Sequence, residues 1–394
     1  MTFVFCTQAV QGGAWKRLVE AIEHLSGEGH RCHLIAYSNS DLRSIREKQN
    51  VFVHEVRVPD ERRSSLRFAV HAYSVLRRIE FEKNKKIWCG SFSGNSGLAL
   101  SLFKYTASRP VSVFSFRRGA QLEKLKMKLD KSGASEFTRK IKVLIHKVAT
   151  KIQLKSSDIL ILQTEVGLEK VKDDYPNSIP QHVYVVPNNI NAKWIDQRRE
   201  DAEEVKPDVE DDQFHVCFVG RFKMEKKGVD TLLEAASLLW EDPIVFDLVG
   251  DGHDVGEARS YVRDHGLEKS VRFHGWMENP LRVMKAADLV VVPSRTDPLP
   301  NVALEALALG TPVIGSNVDG IPVMLNFDDL LFEAGDARRM AALIQRASTD
   351  SEHYEAISEK CQERASEYRF DWGKKFESIF AESPSEDTVV DSTV

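Results

Sequence analysis

The sequence has no long apolar run, and this limits the class of protein. No stretch of its 394 residues comes near the roughly 18 consecutive apolar residues that indicate a membrane-spanning helix. The opening MTFVFCTQ reads as a buried strand and lacks the basic segment, apolar stretch and cleavage site of a signal peptide. Apolar and charged fractions of 42% and 29% are ordinary for a soluble globular protein. We therefore expect a cytoplasmic protein.

Cysteine pairs and metal-binding motifs are also missing. The five cysteines are widely spaced and form no CxxC pair, which favours buried side chains in a reducing compartment over a zinc site or a disulfide framework. The 12 histidines are scattered and form neither HxH nor HExxH. We therefore expect no metal site and no cofactor.

The net charge of -5 conceals a strong asymmetry between the two halves of the chain. Residues 1–190 hold 31 lysines and arginines against 18 acidic residues, whereas the remainder holds 23 against 41. The densest basic stretch is Arg117 to Lys155, with 12 basic and 3 acidic residues. Such asymmetry predicts an anionic surface or substrate for the first half. Nucleic acid is not favoured, because no recognition module accompanies the charge.

Short apolar runs alternate with helix-period segments through most of the sequence, which predicts parallel sheets covered by helices. The alternation occurs twice, on either side of a polar segment. We therefore predict an α/β fold of two Rossmann-like, doubly wound domains that face each other across a cleft. The predicted segments are residues 1–190 (first domain), 191–213 (linker or exposed excursion), 214–367 (second domain), 368–382 (a helix returning to the first domain) and 383–394 (a disordered tail).

The strongest functional signal lies between Val291 and Pro322, in VVPSRTDPLPNVALEALALGTPVIGSNVDGIP. Asp297 falls in a proline-rich turn after a strand, and Glu305 falls one turn into a helix that begins near Asn301. Carboxylates suit the hydroxyls of sugars and ribose, and the free N–H groups at the start of the helix suit a phosphate. From spacing alone, a buried helix with an acidic residue favoured by the helix dipole is an equal alternative.

The second half resembles the donor-binding domain of retaining, family-4-type glycosyltransferases with the GT-B fold. The similar segments occur in the order typical of that family: CFVGRFKMEKKG, DLVGDG, FHGWM, AADLVVVPS and LEALALGTPVIGSNVDGIP. The resemblance is strong over residues 214–345 and looser in the first half. It implies that Asp297 contacts the transferred sugar and that Glu305 binds the ribose. Aspartate stands where the family usually has glutamate, so the identity of the donor sugar stays open.

The resemblance places the basic pair that binds the donor diphosphate in GRFKMEKKG. Arg221 follows the strand-ending Gly220, and Lys227 precedes Gly228, so two cations would neutralise charge on the leaving nucleoside diphosphate. One extra residue relative to the usual spacing leaves Lys226 as an alternative to Lys227. A solvated, lysine-rich turn is the structural alternative.

Further binding residues are expected in the second half. Gly250 and Gly252 belong to a GDG turn that permits close backbone approach. The resemblance places the base of the donor against the backbone around Trp276 and Met277, although Trp276 could equally be a packing residue.

In the first half, Gly12 and Gly13 open a helix after the first strand, but they do not form the GxGxxG of a dinucleotide site. The resemblance assigns them to the loop near the donor diphosphate, and a simple turn is the alternative. Arg118 follows VSVFSF and could contact the donor phosphate or the acceptor.

The basic stretch contains an amphipathic helix with its apolar residues on one face. We favour packing of this apolar face into the core, with a solvated basic face. The alternative is electrostatic docking of the basic residues, Lys140, Lys147 and Lys151 among them, to an anionic membrane surface.

The resemblance implies that the protein is a retaining hexosyltransferase. It would transfer a sugar from a nucleoside-diphosphate sugar to a saccharide or lipid-linked acceptor without a metal, in the synthesis of a cell-surface polysaccharide or glycoconjugate. A peripheral location at the inner face of the membrane is compatible with this function. Two alternatives remain: a sugar-nucleotide epimerase on the same fold, and a catalytically silent binding subunit.

Overall fold

In the computed structural model, the chain forms two compact units. The first consists of Met1–Pro187 together with Asp371–Val394, and the second consists of Asn188–Phe370. It describes residues 1–8, 13–37, 42–57, 65–92, 96–117, 122, 125–126, 129, 135–191, 195–196 and 213–381. The predicted linker lies almost wholly outside these residues, and the predicted tail lies entirely outside them.

The first unit contains a seven-stranded sheet in which every neighbouring pair is parallel. Its strands are β1 (Thr2–Thr7), β2 (Arg31–Tyr37), β3 (Val51–Val56), β4 (Ile87–Ser91), β5 (Ser112–Arg117), β6 (Ile159–Leu162) and β7 (His182–Val185). The order is β3-β2-β1-β4-β5-β6-β7. Strands β1, β4 and β6 are buried along their whole length, as expected where helices cover both faces of a parallel sheet.

Helices connect these strands. The helices whose bounds lie in the described residues are α1 (Gly13–Gly27), α2 (Arg43–Arg46), α3 (Ser65–Leu76), α4 (Gly97–Thr106), α5 (Glu136–Ser156) and α6 (Glu165–Asp174). The last two have side-chain caps: Ser135 accepts from the Thr138 N–H, and Thr164 accepts from the Gly167 N–H.

The second unit contains a six-stranded, all-parallel sheet. Its strands are β8 (Phe214–Val219), β9 (Ile244–Val249), β10 (Val271–Gly275), β11 (Leu289–Val292), β12 (Val313–Ser316) and β13 (Leu331–Phe332). The order β10-β9-β8-β11-β12-β13 is the 3-2-1-4-5-6 order of a Rossmann fold. The predicted fold class of two Rossmann-like domains is therefore confirmed.

The helices of the second unit are α7 (Met224–Lys227), α8 (Val229–Leu238), α9 (Val255–Asp264), α10 (Leu281–Ala286), α11 (Asn301–Leu309), α12 (Ile321–Leu325), α13 (Ala337–Thr349) and α14 (Ser351–Glu367). A 3₁₀ turn occupies Asp328–Leu330. Buried side chains from these helices and from the sheet form one contiguous core.

The unit boundaries differ from the predicted ones by a few residues. The first unit ends at Pro187 rather than at residue 190, because the next residues bond to the second unit. Asn188 Nδ2 donates to Leu299 O (3.0 Å), and Ile190 N donates to Tyr368 O (2.7 Å). Tyr368 accordingly also belongs to the second unit.

The last helix, α15 (Trp372–Ala381), packs against α1 and so belongs to the first unit. It begins at residue 372, four residues later than predicted. Phe376 is fully buried, and its ring lies 5.6 Å from that of Phe114, measured between centroids. Glu377 accepts hydrogen bonds from the ring nitrogens of His24 (2.7 Å) and His30 (2.8 Å). Aromatic packing and this polar cluster attach the helix to the unit that begins the chain.

Helix α5 contradicts our favoured prediction. Its apolar face was expected in the core, but the side chains on that face are 40–73% exposed. The side chains turned inward are largely small or polar and include Ala149, Thr150 and Gln153. Helical periodicity located the apolar face correctly but could not determine which side of the helix the protein covers.

No helix in the described part of the chain combines the length and the apolar character needed to cross a membrane.

Candidate functional site

The order of the second sheet reverses between β8 and β11, which are hydrogen-bonded neighbours. In open α/β sheets, ligands bind outside the carboxyl ends of the strands at such a switch point. The loops that leave these two strands, residues 220–228 and 293–300, carry Arg221, Lys227 and Asp297. The edge of the sheet at these loops is therefore the candidate site.

An ion pair joins the two loops. Lys227 Nζ lies 2.6 Å from Asp297 Oδ2. The side chains of Lys227 and Asp297 are 30% and 17% exposed, so the pair is accessible from solvent. Of the two lysines left open by the sequence, Lys227 is the one that contacts Asp297. A cation and a carboxylate thus meet at the position where the phosphate and the sugar of a donor are expected.

The backbone at Gly228 allows Lys227 to reach the β11 loop. Lys227 is the last residue of α7, and Gly228 has a φ of 62°. A Cβ at residue 228 would lie 1.9 Å from Pro293 O, a contact that no side chain tolerates. Glycine is therefore required here to bring the Lys227 turn against β11.

Two side chains that the sequence analysis did not single out hold α7. Arg295 donates to both carboxylate oxygens of Asp230 (2.7 and 2.8 Å) and to Met224 O (2.6 Å). Asp254 Oδ2 accepts from Met224 N at 2.8 Å. Hydrogen bonds from His253 and from this N–H lower the pKa of Asp254. Arg295 lies two residues before Asp297, so a charged residue in a strand-end loop was the signal that could have identified it.

The β11 loop is also held on its other side. Thr296 Oγ1 donates to Asp319 Oδ2 at 2.9 Å, which connects this loop to the one after β12. At the start of α11, Asn301 Oδ1 accepts from Asn188 Nδ2 at 2.9 Å. Asp297 is thus carried by a loop with fixed neighbours on both sides, which gives its carboxylate a defined position.

Arg221 is exposed at the carboxyl end of β8. In the described part of the chain, no hydrogen bond or ion pair engages its guanidinium. Glu305 is half-buried in the second turn of α11, and Asn301 is the first residue of that helix. Arg221, Lys227, Asp297 and Glu305 therefore all follow the carboxyl ends of two adjacent strands. The structure brings them to one edge of the sheet.

The glycines of the GDG turn pack against the β8 loop. A Cβ on Gly250, whose φ is 134°, would lie 1.9 Å from Gly220 O. Gly252 lies against the backbone of Phe222, which donates its N–H to Asp251 O at 3.0 Å. Glycine is thus needed because the GDG turn and the β8 loop approach each other closely. The sequence predicts close backbone approach at this turn but does not identify the β8 loop as the partner.

Trp276 and Met277 directly follow β10 at the same edge of the sheet. Trp276 is 73% exposed, so it is not a packing residue, whereas Met277 packs against the core of the second unit. An exposed indole at this edge is available to a planar ligand.

The candidate residues of the first unit are only partly described. Gly13 is the first residue of α1, whereas Gly12 and Arg118 lie outside the described residues. The neighbouring Arg117 ends β5 and is buried, and its Nη2 donates to Gln153 Oε1 at 3.1 Å. Burial lowers the pKa of Arg117 to about 10.

In the part of the chain that the structure describes, no group of three or more histidine, cysteine, aspartate or glutamate residues is arranged to hold a metal ion. The five cysteines are all free and buried. Metal-independent chemistry stays a prediction from the resemblance.

Most of the second unit matches a family of known proteins. Residues 199–364 match the family model described as glycosyl transferases group 1. The lipopolysaccharide core biosynthesis glycosyltransferase LpsE of Rhizobium meliloti is 32% identical over 150 residues, which are 38% of this chain and 43% of LpsE. A UDP-Gal:alpha-D-GlcNAc-diphosphoundecaprenol alpha-1,3-galactosyltransferase of Escherichia coli is 27% identical over 194 residues, 47% of this chain and 50% of that enzyme. The chain thus spans half or less of these relatives.

Solved structures match over nearly the whole chain. Anabaena HepE in complex with UDP has a TM-score of 0.72 at 16% identity, covering 97% of this chain and 100% of HepE. WaaG, a glycosyltransferase involved in lipopolysaccharide biosynthesis, has the same TM-score and identity, with 97% and 100% coverage. At this identity, the likeness establishes the fold. The chain therefore has the GT-B fold, and its residues 199–364 match the glycosyl transferases group 1 model.

Proposed function

We propose that the protein transfers a hexose-type sugar from a nucleoside-diphosphate sugar to a hydroxyl of a saccharide or lipid-linked acceptor, with retention of anomeric configuration. The observation that carries this proposal is the Lys227–Asp297 pair at the switch point of the second sheet. A diphosphate requires cations and a sugar requires hydrogen-bond acceptors, and this pair supplies one of each.

The roles divide between the two ends of the donor. Arg221 and Lys227 bind the diphosphate and neutralise the charge that develops on it as it leaves. Asp297 accepts hydrogen bonds from the transferred sugar, and Glu305 accepts them from the ribose. The first N–H groups of α11, next to Asn301, add positive potential toward a phosphate.

Other residues of the second unit bind the base. Met277 contributes its backbone to the base, and the exposed Trp276 indole stacks on it. For the first unit, the assignment of Gly12 and Gly13 to a diphosphate loop and of Arg118 to a phosphate or the acceptor stays a prediction from the resemblance. Lys226, Gly250 and Gly252 shape the loops beside the site without contacting the reacting atoms.

Retention follows from attack on the face that the leaving group occupies. The bond between the anomeric carbon and the phosphate oxygen breaks, and the acceptor oxygen bonds to the same face. The acceptor proton passes to the leaving phosphate oxygen, so atoms and charge balance without a metal. The site residues supply orientation and charge stabilisation, which need no covalent intermediate with the protein.

The named relatives support the class of acceptor. They include enzymes of lipopolysaccharide core biosynthesis, a galactosyltransferase named for a diphosphoundecaprenol acceptor and the amylovoran biosynthesis glycosyltransferase AmsK of Erwinia amylovora. We infer a role in the synthesis of a cell-surface polysaccharide or glycoconjugate. All three relatives are transferases, which favours transfer over epimerisation.

The test is a thermal-shift screen with UDP-, GDP- and ADP-sugars, followed by mass spectrometry of products with the stabilising donor. A ligand present at 100 times its dissociation constant stabilises the protein by about 2.7 kcal/mol. The variant Lys227→Met with Asp297→Asn should lose most of the shift. An altered sugar nucleotide formed without any acceptor would identify an epimerase. Donor binding with no transfer to saccharide or lipid-linked acceptors would identify a silent binding subunit.

A further inference from the structure

Helix α5 of the first unit exposes a continuous apolar face. Phe137 is 73% exposed, Leu144 is 61% and Ile145 is 62%. Ile141, Val148 and Ile152 continue the same face and are 40–50% exposed. These spacings of three and four residues place all six side chains in one stripe along a helix about 30 Å long. Soluble proteins rarely leave a contiguous apolar surface of this size without a partner.

The orientation of α5 is fixed by the polar residues on its inner face. Gln153 accepts a hydrogen bond from the buried Arg117, and Ser156 Oγ lies 2.6 Å from Ser101 Oγ on α4. Lys104 of α4 donates to Ser156 O at 3.0 Å. If the helix rotated to bury its apolar stripe, these buried polar groups would lose their partners. The apolar stripe is therefore held outward.

Basic residues accompany the stripe. Helix α5 contains six basic residues and one acidic residue, Glu136, which pairs with Lys140 at 2.7 Å. Lys140, Lys147 and Lys151 recur at intervals of seven and four residues, so they form a row beside the apolar side chains. On α4, which packs against α5, Leu102 and Tyr105 are also exposed, at 51% and 74%.

We propose that α5 lies in the surface of an anionic lipid bilayer, with its apolar stripe among the acyl chains and its lysines at the lipid phosphates. An amphipathic helix of this composition binds in the interface plane, and both apolar burial and attraction to anionic lipid contribute. A second copy of this chain is a poorer occupant, because an antiparallel twofold contact through the stripe would place two lysine rows side by side. The proposal concerns a surface of the first unit and does not depend on the transfer reaction.

Co-sedimentation of the full chain with vesicles tests the binding. We expect binding to vesicles of equal parts phosphatidylcholine and phosphatidylglycerol, and at least tenfold weaker binding to phosphatidylcholine alone. Leu144→Gln with Ile145→Gln should weaken binding to the anionic vesicles at least tenfold. Lys140→Gln, Lys147→Gln and Lys151→Gln together should do the same, with a smaller effect in high salt, where the charges are screened.

Matched controls separate the stripe from general surface properties. Val70 on α3 and Leu238 on α8 are also exposed, at 61% and 50%, so Val70→Gln with Leu238→Gln removes comparable apolar side chains elsewhere. Lys83→Gln, Lys85→Gln and Lys86→Gln make the same charge change just before β4. Both control variants should bind vesicles as the parent does. Unchanged circular dichroism and an unchanged thermal-unfolding midpoint establish that each variant is folded.

A single label reports insertion directly. All five natural cysteines are buried, so Ile145→Cys provides the accessible thiol for an environment-sensitive fluorophore. Anionic vesicles should shift the emission of this label to the blue, whereas a label at Val70→Cys should not respond. The proposal is overturned if the label at residue 145 does not shift, or if the Leu144→Gln, Ile145→Gln variant binds vesicles like the parent. It is equally overturned if the chain is dimeric without lipid and these two substitutions make it monomeric.

Discussion

The ammonium of Lys227 and the carboxylate of Asp297, 70 residues apart in the chain, meet at 2.6 Å where β8 and β11 end. Without a donor, each neutralises the other. Under the proposed function, a bound diphosphate would compete with Asp297 for the same ammonium, and a bound sugar would compete with Lys227 for the same carboxylate. The pair would then couple recognition of the two ends of the bond that breaks.

Asp297→Asn tests this coupling. Removing the carboxylate charge leaves Lys227 available to the diphosphate, so the nucleoside diphosphate product should bind at least as tightly as to the parent. Turnover should fall tenfold or more, because losing hydrogen bonds to an ionised group costs about 1.5–3 kcal/mol. Calorimetric titration with the nucleotide and initial rates check the two parts. Asp264→Asn, at an exposed carboxylate of α9, is the control, and turnover like the parent's in Asp297→Asn would refute the assignment.

Glu305→Ala should act on binding instead. Contacts to ribose exist equally in the ground state and the transition state, so donor affinity should fall about tenfold or more while turnover at saturation changes little. The comparison ligand is a nucleotide without ribose hydroxyls, for which the parent and the variant should have similar affinities. A variant that binds both nucleotides like the parent would show that Glu305 does not contact ribose.

Arg295→Lys tests whether the clamp on α7 positions Lys227. Lysine keeps the charge but cannot donate in parallel to both oxygens of Asp230 and also to Met224 O. We expect the KM for the donor to rise and turnover to fall, both several-fold, because Lys227 loses its fixed position. Arg338→Lys, on the exposed surface of α13, should leave both constants unchanged. A loss of thermal stability with unchanged kinetics would show a structural role only.

From the hydrogen bonds of the Asp247 carboxylate, we expect the second unit to lose stability in acid. Burial acts to raise the pKa of this carboxylate, but hydrogen bonds from His274 (2.6 Å) and His215 (2.7 Å) outweigh it, and the pKa lies below its usual value. A carboxylate with a depressed folded pKa stabilises the fold above its unfolded pKa of about 3.9, and this contribution is lost as pH falls through the folded value.

Asp247→Asn should therefore lower the free energy of unfolding of the second unit at neutral pH by about 1–3 kcal/mol. The difference from the parent should shrink as the pH falls below about 4. Calorimetric unfolding at a series of pH values checks this. A difference that stays constant across the acid range would mean that the proton on Asp247 is not responsible.

Phe376→Ala should destabilise the first unit by about 3–5 kcal/mol, the usual cost of removing a fully buried aromatic side chain. The transition of the second unit should not move, since Phe376 packs within the first. Scanning calorimetry that resolves the two transitions provides the measurement. Phe137→Ala, at an exposed ring of α5, should leave both transitions in place.

Much of the fold could be predicted because strand and helix periodicities differ and the chain repeats their alternation twice. The positions of Asp297, Lys227 and Glu305 after strand ends could be read from the sequence, whereas their proposed roles come from the resemblance. The contact between Lys227 and Asp297 could not be read in this way, since it depends on which strands are neighbours in the sheet. The Arg295–Asp230 clamp was missed for the same reason, because its members are 65 residues apart.

Helix α5 shows a different limit. Its apolar stripe is evident from the sequence, and burial in the core is the usual fate of such a stripe. The direction it faces depends on Arg117, which donates to Gln153, and on Ser101, whose hydroxyl bonds to that of Ser156. Local periodicity carries no information about these polar contacts, because they join elements that are distant in the sequence.

The return of α15 to the first unit makes that unit discontinuous in sequence, with the whole second unit inserted between its parts. During synthesis, all six strands of the second sheet leave the ribosome before Trp372 and Phe376 do. The second unit can then complete its core while the chain is still growing. The face of β1, β4 and β5 against which α15 packs stays uncovered until that helix has left the ribosome. The first unit, although made first, is thus the last to mature, and chaperone binding to the nascent chain should concentrate on that waiting aromatic surface.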